Sequence, residues 1–235
     1  MRFQRSLEPA TLLKRYKRFL ADVRLGDGSL AIATCPNTGS MLGLTDPGST
    51  IYLSRSDKPS RKYALTWHLT DKAGVGLVGI DTGLPNRLVE EAIGAGQLPA
   101  LAGYGGLRRE VKYGSNSRID LLLQGEGRPD CYVEVKNVTL LRQPGLAEFP
   151  DCVTERGTKH LNELAHMVQA GHRAVMVYCV QCASPGRFTL ARDLDPAYAD
   201  TYLKARAIGV EAIALTCHVS PDTITIKDQI HITDP

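Results

Sequence analysis

The sequence predicts an α+β protein in which a small N-terminal β-barrel is followed by an α/β domain with a mixed sheet. Residues 18–80 contain short β-like runs separated by turn residues. After Asp81 the composition changes, and apolar runs begin to alternate with amphipathic helices. The chain has 235 residues, 43% of them hydrophobic, which is enough for two modest cores. We therefore expect two domains, comprising residues 1–81 and 82–235.

The first domain is predicted from a series of short strands. Arg18–Thr34 predicts a hairpin, because apolar residues alternate on both sides of a Gly-Asp-Gly turn at 26–28. Further β-like runs follow at 50–54, 63–70 and 75–80. About five short strands with turns between them are typical of a small barrel such as the OB-fold, which commonly binds nucleic acid on one face.

The same region carries an excess of positive charge. Residues 1–80 hold 12 Lys and Arg against 6 Asp and Glu, whereas the net charge of the whole chain is only +3. Since Lys and Arg that neutralise phosphates supply sequence-independent affinity, we expect this domain to contact DNA. A solvated surface with surplus lysine is the alternative. The candidate contacts are Lys14, Arg15, Lys17, Arg18, Arg61 and Lys62.

Aromatic side chains are interleaved with these cations, as on surfaces that bind single strands. They are Tyr16, Phe19, Tyr52, Tyr63 and Trp67. About half of them must fill the barrel core, and we expect Phe19 and Trp67 to be among the buried ones.

The second domain is predicted to pack helices on a mixed sheet. The expected elements are helices at 87–95, 159–169 and 196–208 and core strands at 173–180 and 210–217. In the helix at 159–169, Lys159, His160 and Glu163 fall together on the side opposite the apolar residues. We therefore expect these three side chains on a polar face.

The segment Arg118–Val138 predicts the functional site. Two strands flank a Gly-rich turn at 125–127, and the second strand carries the acid-x-Lys triplet Glu134-Val135-Lys136. In a hairpin that is symmetric about Gly127, the residue opposite Glu134 is Asp120. Because side chains alternate along a strand, Lys136 shares the face of Glu134 while the residues between them point into a core.

Two carboxylates and a lysine on one sheet face can hold Mg²⁺, or Mn²⁺, against a phosphate. We expect Asp120 and Glu134 to bind the ion, and Lys136 to orient a water molecule or stabilise charge on the phosphate oxygens. This is the arrangement of the PD-(D/E)xK nucleases. The alternative is an ordinary solvated ion pair between Glu134 and Lys136, with Asp120 beginning a turn, because short motifs often occur by chance.

Other polar residues are accessory candidates. Glu91 is expected either to bind a second ion or its water, or to lie in solvent. His160 and Glu163 either contact the phosphate or the water shell of the metal, or form a surface salt-bridge cluster with Lys159. Arg156 and Lys159 are better suited to contact the phosphate backbone than to take part in chemistry.

Two classes of protein are not expected. No apolar run approaches the roughly 20 residues of a membrane span, and the N-terminus has no secretory apolar region, so we expect a cytoplasmic protein without membrane contact. The six cysteines are scattered, which predicts buried free thiols. With no second Cys pair, we do not expect a zinc site at Cys179 and Cys182. No pattern specifies an oligomeric state.

Seven segments, spread over nearly the whole chain, match one known pattern. They are KRYKRFLADV at 14–23, CPNTG at 35–39, EVKYG at 110–114, SRID at 117–120, YVEVK at 132–136, FPD at 149–151, and TERG with KHL at 154–161. In these segments the chain resembles the sugar fermentation stimulation protein family of bacteria and archaea, the SfsA-like proteins.

The resemblance implies an OB-like domain followed by a PD-(D/E)xK nuclease-like domain of restriction-endonuclease type. It also implies an association with DNA binding and with regulation of sugar, particularly maltose, metabolism. The nuclease pattern of such domains falls on Asp120, Glu134 and Lys136, and a carboxylate from the preceding helix corresponds to Glu91.

The link to sugar metabolism does not require cleavage, so the alternative is a DNA-binding regulator that keeps the nuclease fold without catalysis. A sugar- or nucleotide-binding enzyme is disfavoured, because the sequence has no Walker-type phosphate loop.

Overall fold

The computed structural model describes residues 1–114 and 117–233. Its first sheet has six strands: β1 (Glu8–Tyr16), β2 (Leu20–Leu25), β3 (Leu30–Thr34), β4 (Thr50–Arg55), β5 (Leu65–Lys72) and β6 (Gly76–Gly79). They hydrogen-bond in the order β3-β2-β1-β4-β5-β6, and a further pairing between β3 and β5 closes the first five into a barrel. The predicted OB-like barrel is confirmed, with β1 as a strand that the sequence pattern did not indicate.

The barrel core confirms one of the two aromatic predictions. Trp67 is fully buried, and its indole N–H donates to a backbone carbonyl at 2.9 Å. Phe19 is 49% exposed, so the prediction that it fills the core is wrong. It lies in the turn between β1 and β2, where Lys17 and Arg18 adopt positive φ angles of 49° and 64°. The buried run of β2 therefore begins one residue later, at Leu20.

The second sheet is mixed and has nine strands. They are β7 (Gly106–Tyr113), β8 (Ser117–Gln124), β9 (Cys131–Val138), β10 (Leu140–Gln143), β11 (Leu146–Phe149), β12 (Arg173–Val180), β13 (Arg187–Leu190), β14 (Glu211–Val219) and β15 (Ile224–Ile232). Their order is β10-β11-β13-β15-β14-β12-β9-β8-β7. β12 pairs in parallel with both β9 and β14, whereas β7, β8 and β9 are antiparallel. The predicted restriction-endonuclease-like α/β domain is confirmed.

In the described ranges, three α-helices cover this sheet: α1 (Pro85–Gly94), α2 (Glu155–Gln169) and α3 (Pro196–Ile208). A 3₁₀-helix spans Pro99–Leu101. Alternate residues of β12 belong to different cores: Val175 packs in a core with α1, and Met176 packs in the core that contains residues of α2 and α3. The sheet is thus buried on both faces, as expected for a strand that is almost continuously apolar.

Local signals explain where the helices begin. α2 begins four residues before the predicted start, because the Thr154 side chain accepts a hydrogen bond from the Gly157 N–H at 3.1 Å and caps the first turn. α3 has the predicted limits. Asp195 caps its start, and Gly209, with a φ of 118°, ends it in the left-handed region that glycine tolerates.

Two further expectations concern thiols and membranes. All six cysteines are free, and five are buried while Cys152 is exposed. Within the described part of the chain, no helix is both long enough and apolar enough to cross a membrane.

The barrel and the second sheet are joined at Gln181, which follows β12 and is fully buried. Its backbone carbonyl accepts from the Gly79 N–H at 2.7 Å. Its side-chain amide donates to the Asp81 carbonyl at 2.9 Å and to Asn137 Oδ1 at 2.7 Å. A side chain at position 79 would lie within 2.6 Å of the Gln181 amide oxygen, so this close approach requires glycine.

We predict that Gln181→Met lowers the free energy of unfolding by about 1–3 kcal/mol, because it leaves two partly buried acceptors, the Asp81 carbonyl and Asn137 Oδ1, without this donor. Urea denaturation monitored by circular dichroism measures this change. Gln169→Met, at the exposed end of α2, is the control and should leave the midpoint unchanged. Equal stability of the two variants would show that the amide contributes nothing to the joint.

Candidate active site

The β8–β9 hairpin has the predicted register. Leu121 pairs with Val133 and Leu123 with Cys131, so the next position along the hairpin brings Asp120 opposite Glu134. The Asp120 carboxylate accepts a hydrogen bond from the Val135 N–H at 2.7 Å. The first acid is therefore anchored to the strand that carries the second.

Glu134 lies at the centre of a buried polar cluster and is only 2% exposed. Lys136 Nζ donates to Glu134 Oε1 at 2.7 Å, and His160 Nδ1 hydrogen-bonds the same oxygen. Arg156 Nε donates to His160 Nε2 at 3.4 Å, which leaves Nδ1 as the nitrogen that carries the proton given to Glu134. Burial rules out the alternative of an ordinary solvated ion pair.

The two acids differ in proton affinity. Burial alone would raise the pKa of Glu134, but the hydrogen bond from His160 and the charge of Lys136 outweigh burial and lower it. Burial and the charge of Glu134 raise the pKa of Asp120 to about 6, although hydrogen bonds from Val135 N–H and Asn86 oppose the rise. At pH 7 both carboxylates are mostly ionised, but Asp120 reaches its titration midpoint at about pH 6.

Helix α1 contributes Asn86 to the cluster. Asn86 Nδ2 donates to Asp120 Oδ1 at 2.8 Å. Glu91, the candidate from this helix, instead receives the amino group of Met1 at 2.7 Å and Arg87 Nε at 2.9 Å, so the structure does not bring it to the hairpin acids. Sequence reasoning missed Asn86, because an amide in the first turn of a helix has no acid-base or metal-ligand signature.

Helix α2 contributes two residues that the sequence placed on a polar face. His160 is 4% and Glu163 is 6% exposed, so this polar side is buried and the alternative of a surface cluster with Lys159 is wrong. The hydrogen bond from His160 to Glu134 takes the place of the hydrogen bonds that an exposed imidazole would make with water. Lys159 Nζ lies 3.7 Å from Glu163 Oε1, too far for a good hydrogen bond.

Tyr113, at the end of β7, is a further member that sequence reasoning missed. Its hydroxyl is buried and has no hydrogen-bond partner among the described residues. Burial, followed by the charges of Glu134, Glu163 and Asp120, raises its pKa well above the ordinary value. The negative charges of three carboxylates therefore act on this one hydroxyl. Its position in the sequence, seven residues before Asp120, gave no sign of this.

The residues of the cluster fit a cation held by few protein ligands. No group of three or more His, Cys, Asp and Glu side chains is placed to hold a metal ion in the described ranges. Asp120 and Glu134 supply the one or two carboxylates that Mg²⁺ usually takes from a protein. Glu134 Oε2 is buried without a hydrogen-bond partner, which is a free acceptor for an ion.

The predicted phosphate-contacting residues are mostly exposed. The exposed ones are Lys14, Lys17, Arg18, Arg61, Lys62, Arg156 and Lys159. Arg15 differs, since its guanidinium donates to the backbone carbonyls of Arg18, Asn37, Gly39 and Ser40 at 2.8–3.3 Å. Its donors are largely used to hold the barrel loop at 37–40.

That loop touches the segment leading into α2. Asp151 Oδ2 accepts from the N–H of Met41, the residue after this loop, at 2.9 Å, and Arg15 links the same loop to the Arg18 carbonyl. The basic turn between β1 and β2 therefore lies beside the segment that leads into α2, the helix that carries His160.

Comparison with known proteins identifies the family. Residues 83–223 match the family model described as the sugar fermentation stimulation protein RE domain. Residues 13–80 match the model described as the SfsA N-terminal OB domain. The chain belongs to the sugar fermentation stimulation protein family. The resemblance predicted from the sequence is confirmed.

Relatives in the SfsA family match along their full length. The chain is 54% identical over 230 residues to the sugar fermentation stimulation protein homolog of Ruegeria pomeroyi, covering 98% of this chain and 100% of the relative. It is 58% identical over 233 residues to the homolog of Rhodospirillum centenum, covering 99% and 100%.

A solved SfsA structure is also similar. The SfsA of Pyrococcus furiosus, in complex with Ca²⁺, superposes with a TM-score of 0.87 at 28% identity, covering 99% of this chain and 98% of that one. The arrangement of the two domains is thus shared with a family member that was solved with a divalent cation.

We predict that Asp120 changes stability with pH in the metal-free protein. Folded Asp120 binds its proton more tightly than the unfolded chain does, because its pKa is raised to about 6. Its contribution to the free energy of unfolding therefore declines as the pH rises from its ordinary pKa to about 6, and is constant above that. Urea denaturation between pH 4 and 8 in EDTA measures this dependence.

Asp120→Asn cannot lose a proton and should be less sensitive to pH over this interval. Glu134→Gln removes the neighbouring charge and should move the midpoint of the Asp120 transition to lower pH. Identical pH profiles for wild type and Asp120→Asn would contradict the assignment.

Proposed function

We propose that this protein is a metal-dependent nuclease of the PD-(D/E)xK type that hydrolyses phosphodiester bonds in DNA. The observation that supports it is the convergence of Asp120, Glu134 and Lys136 from the two arms of one hairpin. In this proposal, residues 1–81 bind DNA and residues 82–235 cleave it. Action on DNA is consistent with a cytoplasmic protein.

Asp120 and Glu134 would hold the cation, which we propose to be Mg²⁺ or Mn²⁺. The free Oε2 of Glu134 and the like charges that raise the pKa of Asp120 both favour a positive ion between these residues. When bound, the cation supplies polarisation of a phosphate oxygen and activation of water.

Side chains around the ion have separate tasks. Lys136 is 13% exposed, so its ammonium can reach a phosphate oxygen and stabilise negative charge there. His160 holds Glu134 in place through its Nδ1 proton, and Arg156 fixes the imidazole from the other side. Asn86 and the Val135 N–H fix Asp120. These supports hold both acids in place before substrate binds.

DNA is proposed to bind along the basic turn between β1 and β2. Lys17 and Arg18 are exposed there, and Phe19 beside them is 49% exposed. An exposed aromatic ring next to cations suits stacking on a base. Because this turn lies beside the entrance of α2, a strand bound there is led towards Arg156 and the hairpin acids.

A non-catalytic DNA-binding regulator is the second candidate. The observation that favours it is the enclosure of Glu134, which is 2% exposed and has one carboxylate oxygen already shared by Lys136 and His160. In this case the polar cluster is a structural unit, and DNA binding is not followed by strand scission.

We predict that the protein cleaves DNA with Mg²⁺ or Mn²⁺, and that Glu134→Gln and Lys136→Ala each lower the rate by about 10²–10³-fold, because each removes a preorganised charge. Labelled single- and double-stranded DNA resolved on denaturing gels measures cleavage.

Matched controls are Glu126→Gln in the turn of the same hairpin and Lys112→Ala on β7, both at exposed positions, which should cleave like the wild type. Binding of DNA without scission under all metal conditions would exclude the nuclease and leave the regulator.

We also predict that Lys17→Ala/Arg18→Ala weakens binding to single-stranded DNA and makes it less dependent on salt. The slope of log K against log salt should fall by about 0.7 for each phosphate that the variant no longer neutralises. Fluorescence anisotropy at several salt concentrations measures it. Lys204→Ala/Lys227→Ala, on α3 and β15, is the control. An unchanged slope in the first variant would place the DNA elsewhere.

A further inference from the structure

A cavity of about 530 Å³ lies along α2 and reaches Gly114, the residue that follows β7. It is lined by Gly114, Glu155, Thr158, Lys159, Asn162, Glu163 and His166. The helical residues at positions 155, 158, 159, 162 and 166 fall on one side of α2, as expected for spacings of three and four residues. The cavity is therefore bounded by this helix and by the end of β7.

Glu163 is the unusual member of the cavity wall. It is 6% exposed, yet neither of its carboxylate oxygens has a hydrogen-bond partner among the residues described. The nearby Lys159 Nζ, at 3.7 Å, partly balances the charge without satisfying either oxygen. A buried carboxylate without donors is costly in free energy, so this position favours a ligand that carries positive charge.

Two other residues of the described structure, Tyr113 and Glu134, also have buried oxygens without hydrogen-bond partners. Among the described residues, Tyr113 adds a buried hydroxyl without a hydrogen-bond partner, and Glu134 Oε2 is a further buried oxygen in the same condition. Gly114, the residue after Tyr113, lies beside Glu163 in the cavity wall, and the charges of Glu134 and Glu163 both raise the pKa of the Tyr113 hydroxyl. Among the described residues, these buried oxygens outnumber the donors that reach them.

The cavity also has the space and the ligand types for an ion. A Cβ atom at Gly114 would lie 3.1 Å from Glu163 Oε1, so glycine at this position leaves the carboxylate uncrowded. Asn162 and His166 line the same cavity, and an amide oxygen and an imidazole are both ordinary metal ligands. Glu163 and His166 have the Glu-x-x-His spacing that metal sites in helical bundles use.

We propose that Glu163 anchors a second divalent-cation site, separate from the Asp120–Glu134 pair, with Asn162 and His166 as its further protein ligands. Water completes the coordination in the free protein, and phosphate oxygens of a bound strand replace part of that water. A catalytic role for this site rests on the proposed nuclease function. In such a nuclease, two ions can stabilise both the attacking and the leaving oxygen of a phosphodiester. Cation binding itself does not depend on cleavage.

The test is the number of Mn²⁺ ions bound per chain, measured at pH 7.5 from the paramagnetic resonance signal of free Mn²⁺ during titration of the full-length protein. Wild type should bind two. Glu163→Gln should keep one, with affinity for the second weakened more than tenfold, and Glu134→Gln should lose the other. Circular dichroism and thermal unfolding without metal show whether each variant is folded.

Two further variants make the result specific. Glu155→Gln removes an exposed acid from the same cavity wall and should still bind two ions. Lys159→Met removes the competing ammonium and should tighten the weaker site several-fold, which tests the proposal even if Glu163→Gln fails to fold. The proposal of a second site would be refuted if the wild-type chain bound one Mn²⁺, or if Glu155→Gln and Glu163→Gln weakened binding equally. Two bound ions without DNA cleavage would uphold the site and refute the nuclease.

Discussion

The functional region depends on one constraint, the burial of the Glu134 carboxylate between a β-hairpin and helix α2. A carboxylate that is 2% exposed must be paired and hydrogen-bonded to remain charged. Lys136 and His160 supply both conditions on a single oxygen. This requirement determines which face of α2 meets the sheet, and it explains why polar residues of the helix point inward.

As a result, Glu134 and Asp120 differ in proton affinity. Glu134 is held ionised by its neighbours, and its charge, together with burial, keeps the proton affinity of Asp120 high. Repulsion between like charges disfavours ionisation of both acids at once. Among the described residues, Glu134 Oε2, both carboxylate oxygens of Glu163 and the hydroxyl of Tyr113 are also buried without a hydrogen-bond partner. The structure thus concentrates uncompensated acceptors in one place, beside an open cavity.

The barrel is joined to this region by polar contacts. Gln181 links the barrel exit to the centre of the second sheet, and Asp151, four residues before α2, accepts a hydrogen bond from the N–H of Met41 in the barrel. Within the barrel, the Arg15 guanidinium donates to four backbone carbonyls. The remaining cations of the β1–β2 turn are left exposed at the border between the two domains. A ligand bound to the barrel there is close to the hairpin acids.

The sequence by itself determined the two domain types, the hairpin register and the pairing of Asp120 with Glu134, since alternation and turn position are local properties of the chain. It also determined the limits of α3, because Asp195 and Gly209 are adjacent signals. Alternation did not signal the positive φ angles at Lys17 and Arg18 that place Phe19 in an exposed turn. Only the tertiary structure decided the burial of His160 and Glu163 and the recruitment of Asn86 and Tyr113. Each of these depends on which distant element packs against the residue, and a periodic pattern identifies a polar face without showing whether water or a buried carboxylate lies opposite.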